Sequence, residues 1–122
     1  MALSIGWILV VTGTITAVGG LAALLFPRWL LLAGFGIPSV DDSMMFFVRH
    51  WGVLIFIVGA LVVYGAYQPA VRAPVLTGAA LEKFFVGGLI FSAPVKPTAV
   101  MTIAAVSDGV FALLYVAYLA GL

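Results

Sequence analysis

Six prolines divide this chain. Pro27, Pro38, Pro69, Pro74, Pro94 and Pro97 all fall between four long apolar runs, at about 3–26, 45–67, 75–93 and 98–121. A proline inside a helix removes a hydrogen bond and clashes with the preceding turn, so its exclusion from the runs marks them as helices. At 1.5 Å of rise per residue each run extends roughly 28–36 Å, enough to cross the hydrocarbon of a bilayer. No water reaches backbone groups there, and a helix satisfies them internally. The runs therefore predict an all-α polytopic membrane protein, a four-transmembrane-helix antiparallel bundle that forms one domain over residues 1–122.

Composition agrees. Of 122 residues, 66% are hydrophobic and 7% charged. A soluble domain is about a quarter charged and under half apolar. Cysteine is absent and the net charge is +1. That excludes thiolate chemistry and leaves no basic footprint for nucleic acid. No phosphate loop, zinc motif or serine elbow is present, so no metal and no cofactor is expected. Residues 1–26 lack the basic start and small-residue cleavage site of a signal peptide and read as a retained first span.

The connections carry their own signals. Pro27-Arg28-Trp29-Leu30-Leu31-Leu32 predicts a short interfacial helix, since proline suits a first turn and Trp and Arg favour the headgroup level. Asp41, Asp42 and Ser43 precede the second span, where their oxygens cap free N–H groups and complement the helix dipole. Arg28, Arg49 and Lys96 lie towards connections one and three, and Arg72 towards connection two. The excess predicts that connections one and three are cytoplasmic, with both termini outside the inner membrane.

Ionisable residues inside the spans are the candidates for function. Glu82 and Lys83 fall in mid-third span, and Asp108 falls about 15 Å into the fourth. Each costs on the order of 2.5–3.5 kcal/mol at the bilayer centre, which predicts inward-facing, paired groups and makes the third span dependent on its neighbours for insertion, and the one to be irregular if any span is. Asp108 shares a face with Ala104, Ala105 and Ala112, Lys83 with Ala79, Ala80 and Gly87, Glu82 with Gly78, and Arg49 with Gly52, Phe56 and Gly59. Small residues mark close helix contacts, so Arg49, Glu82, Lys83 and Asp108 are expected to form a formally neutral cluster. Arg49 is expected to reach inward towards Asp108 or Glu82. His50, the only histidine, is either a proton shuttle at a cavity mouth or an interfacial neighbour of Trp51. Thr12 and Thr16, with Gly13 and Gly20 nearby, read as a packing seam. Trp7, Tyr64, Tyr67, Tyr115 and Tyr118 read as an aromatic belt.

The second span, Trp51-Gly52-Val53-Leu54 through Gly59-Ala60-Leu61 and the turn at Gln68-Pro69-Ala70, resembles the DoxX-like group of small four-helix bacterial membrane proteins. The likeness covers the second and third spans. It implies an accessory role in a quinone-linked or redox complex and transfers no catalytic residue. Small multidrug transporters also have four helices, but their essential acidic residue lies in the first, where this chain has none.

Three functions fit these readings. The first is binding or transport of a small amphipathic ligand, lipid or quinone-like, or of protons, between spans two to four by a homo-oligomer. The second is an accessory subunit of a larger membrane complex, and the third a lipid- or sterol-modifying enzyme using Glu82 or Asp108 as acid or base. Spans two to four carry the chemistry in each, and the first span acts as an anchor.

Overall fold

The computed structural model describes the backbone of residues 2–92 and 98–121, and the side chains of 5–92 and 98–121. Every regular element among them is helical. In chain order these are α1 (Ala2–Leu25), α2 (Pro27–Phe35), α3 (Asp42–Tyr67), a 3-10 turn (Pro69–Val71), α4 (Arg72–Ser92) and α5 (Ala99–Leu119). Four of them, α1, α3, α4 and α5, are long and apolar enough to cross a membrane, α4 counted together with the turn before it. The chain is a multi-pass membrane protein of four antiparallel spans.

The ends follow from local chemistry. Asp41 Oδ1 accepts from Met44 N at 2.8 Å, capping α3 three residues ahead of the apolar run. Thr98 does the same for α5 through Met101 N at 3.1 Å. Its hydroxyl also donates to Gly34 O, tying α2 to α5. Helix α2 begins on Pro27 and ends where Gly36 takes a positive φ of 69°, a conformation that glycine adopts without penalty. Helix α4 starts at Arg72, so Pro74 lies in its first turn, where a missing N–H does little harm. This span, the first candidate for an irregularity, is one continuous helix from Arg72 to Ser92. Lys96, with Ala93, Pro94 and Pro97, lies outside the described residues.

Two pairings build the bundle. Helices α1 and α3 pack backbone to backbone. Gly13 and Gly20 face Gly59 and Gly52, and a Cβ at Gly13 would lie 2.8 Å from Gly59 O. A Cβ at Gly52 would lie 2.7 Å from Gly20 O. Such approach is open only to residues without a side chain. Helices α4 and α5 form the second pair. At the turn end, Arg72 fastens α4 to α3. Its Nε donates to Gly65 O at 2.7 Å and Nη2 to Ala66 O at 2.9 Å, filling carbonyls left free by the end of α3.

The interior is unequal along its length. A buried cluster of Ile5, Leu9, Val62, Leu76, Ala79, Ala80, Ala112 and Tyr115 fills the half nearest the chain ends. In the half beneath α2 the two helix pairs separate around a cavity of about 360 Å³.

Candidate ligand-binding site

Lys83 sits at the boundary between those halves. Its face of α4 continues Leu76, Ala79 and Ala80, all buried, and the alanines let α4 lie close to its neighbours. Only 1% of Lys83 is exposed. An ammonium has three donors. One reaches Thr16 Oγ1 on α1 at 2.9 Å and another Asp108 Oδ1 on α5 at 3.1 Å. Nζ also lies 5.4 Å from the centre of the Phe111 ring.

The threonines of α1 are built to accept. The Thr16 hydroxyl donates to Thr12 O at 2.9 Å, and the Thr12 hydroxyl to Ile8 O at 2.7 Å. With each proton committed to its own helix, the oxygens turn lone pairs towards the bundle. Thr16 takes Lys83, and Thr12 takes the Tyr115 hydroxyl at 2.5 Å. The first span thus supplies part of the polar centre and is more than an anchor.

Glu82 is one residue from Lys83 and so points about 100° away around the helix. It is half-buried and lines the cavity beside Lys83 and Asp108. Its Oε2 is buried and has no hydrogen-bond partner among the described residues. Gly78, on the Glu82 face, meets nothing within 4 Å, so that stripe is not a helix contact. Ser107 and Asp108 also face the cavity, the Asp108 side chain being 25% exposed. The walls above are apolar, with Ile15 from α1, Ile55 from α3, and Val100 and Ile103 from α5. Phe35 of α2 and Trp51 of α3 line the α2 end, their ring centres 6.3 Å apart.

Arg49 does not join this cluster. It is exposed, and the only ion pair among the described residues is Lys83–Asp108. Arg49 and His50 instead line a separate surface groove with Asp42 and Phe46. His50 is exposed there and stacks on Phe46, with ring centres 6.2 Å apart, while Trp51 beside it turns to the cavity. The long arginine chain starts too near the α3 end, where water is a cheaper solvent for charge than the bundle. Without it the central set is Glu82, Lys83 and Asp108, two carboxylates to one ammonium, and is not formally neutral.

Tyr115 is also not a belt residue. It is fully buried, whereas Trp7, Tyr64 and Tyr67 are exposed. The sequence did contain the signal, since Tyr115 continues the inward stripe of Asp108 and Ala112 at helical spacing. Tyr118 is half-buried and carries Arg72, whose Nη1 lies 3.4 Å from its hydroxyl.

As a chemical arrangement, the site is a set of hydrogen-bond acceptors under an apolar chamber. No group of three His, Cys, Asp or Glu among the described residues is placed to hold a metal ion. No protein-family model matches this chain, and neither a curated protein nor a solved structure matches it.

Proposed function

We propose that the protein binds a small amphipathic molecule, its polar end on Glu82 and Asp108 and its apolar part between the walls of Ile15, Ile55 and Ile103. The observation that carries this reading is a cavity of about 360 Å³ with a polar floor and apolar walls in the middle of a membrane-spanning bundle. Ligand sites are concave, mostly apolar and furnished with a few placed polar groups, and this volume falls in their usual range. A purely structural ion pair needs no such space beside it. The test is purification in a mild detergent followed by mass spectrometry of the extracted small molecules. One amphiphile class near stoichiometry is expected, and its loss from Ala104→Trp, which fills the cavity. Equal retention by that variant overturns the reading. A stoichiometric partner protein in place of the amphiphile favours an accessory subunit.

We infer from the charge bias that the α2 end lies in the cytoplasm. Arg28 and Arg49 lie towards that end and Arg72 towards the other, the bias expected of inward-facing positive residues. A reporter active only in the cytoplasm, fused after Leu122, is expected to stay silent. Activity there reverses the orientation.

A further inference from the structure

Charge and hydrogen bonding at the cavity floor specify the polar end of that amphiphile. We infer that it is a cationic ammonium group, seated against the Glu82 and Asp108 carboxylates. The inference rests on the binding role proposed above.

Three observations carry it. First, the lysine offers little to a ligand, although it lies at the cavity floor. Lys83 is 1% exposed, with two donors spent on Thr16 and Asp108 and its charge set towards Phe111. An anionic head would meet two carboxylates and a cation already paired with one of them. Second, acceptors are in surplus. Glu82 Oε2 is buried without a partner, and the Asp108 side chain is partly open to the cavity beyond its bond to Lys83. The trio has one more carboxylate than ammonium, a formal excess of one negative charge, and a charge in hydrocarbon is costly until it is matched. Third, Phe111, one turn from Asp108, lines the floor of the same cavity, while Phe35 and Trp51 line its far end and meet the tail. Aromatic faces attract ammonium ions and, unlike further carboxylates, add no burial cost of their own. A bare metal ion would satisfy the carboxylates but leave the apolar walls unused. An alkylammonium uses both.

Binding to the intact protein in lipid nanodiscs tests this. With Trp7 and Trp29 replaced by Phe, Trp51 is the remaining tryptophan and reports on the cavity. Decylammonium, whose head carries N–H donors, decyl sulfate and decyl glucoside share one tail and differ in head charge. The expected result is saturable binding of the cation at least tenfold tighter than of the other two. It is also expected to weaken at least tenfold in Glu82→Gln and to vanish in Ala104→Phe, which fills the cavity without adding a second tryptophan. A decylphosphoethanolamine arm identifies the source. Binding equal to the cation assigns the ammonium to a lipid headgroup, and exclusion assigns it to a free cationic amphiphile. Equal binding of sulfate or glucoside overturns the cationic head while leaving the amphiphile site intact. That comparison uses the unmutated site, so it stands even where Glu82→Gln fails to fold. Saturable binding of none of the probes overturns both readings.

Discussion

The Tyr115 hydroxyl donates to Thr12 Oγ1 at 2.5 Å, joining the last span to the first at a point where neither side chain is open to lipid. The bond is possible because the Thr12 hydroxyl has already donated to Ile8 O. Tyr115→Phe removes one polar group and leaves Thr12 bonded within its own helix. Loss of about 0.5–1.5 kcal/mol is expected, read from unfolding in mixed SDS micelles. Thr12→Val strands a buried phenol and is expected to cost more, about 1–3 kcal/mol. The double variant is expected to cost less than the two together. Additive losses would show that the hydroxyls do not depend on each other.

Lys83→Met leaves the Asp108 carboxylate and the Thr16 lone pair without their donor. A loss of about 2–3 kcal/mol is expected, below the range for fully buried pairs because Asp108 is partly exposed. Adding Asp108→Leu is expected to restore most of it, since removing both charges also removes the cost of holding them in hydrocarbon. The same micelle titration checks both, and a double variant weaker than the single would refute the account.

The glycines divide cleanly. A Cβ at Gly20 or Gly59 meets the backbone of the facing helix, which cannot rotate aside as a side chain can. Gly59→Ala is expected to push α1 from α3 and cost about 1–3 kcal/mol. Gly78 and Gly109 have open space around them, and alanine there is expected to be neutral or stabilising by up to about 1 kcal/mol. Cysteine crosslinking between α1 and α3 provides a second measure. It should slow in Gly59→Ala and not in Gly78→Ala.

Arg72 spans two carbonyls of α3 with a planar fork. Arg72→Lys is expected to recover less than half of the loss seen in Arg72→Ala, about 1–3 kcal/mol, because a point charge cannot serve both acceptors and the Tyr118 ring at once. Equal stability of the arginine and lysine proteins would reduce its role to charge alone.

Spans, caps and the α2 helix were legible in the sequence because each depends on local rules. Pro27 opens a helix, Asp41 caps one, and runs of apolar residues set length. Facing directions were only half legible. Adjacent Glu82 and Lys83 cannot share a direction, and nothing in their spacing says which one the bundle takes. The packing of Leu76, Ala79 and Ala80 decides it for Lys83. Arg49 was misplaced because its glycine neighbours do pack inward while its own position near the helix end lets it turn out. Thr16 was hidden for a different reason. A threonine bonded to its own backbone in an apolar helix is ordinary, and its second lone pair has meaning only once Lys83 arrives from a helix 67 residues away.

The unequal filling of the bundle has a consequence for permeation. Ile5, Leu9, Val62, Leu76 and Tyr115 seal one end with apolar contacts, and the chamber under α2 ends on Lys83. This is a blind well and not a pore. Among the described residues no opening joins the chamber to the far side, so an occupant that came from the α2 side or from the membrane would have to leave by the same route. Traffic to the opposite side would require the Tyr115–Thr12 latch to open and the surrounding core to part, a rearrangement of whole helices and not the swing of one side chain.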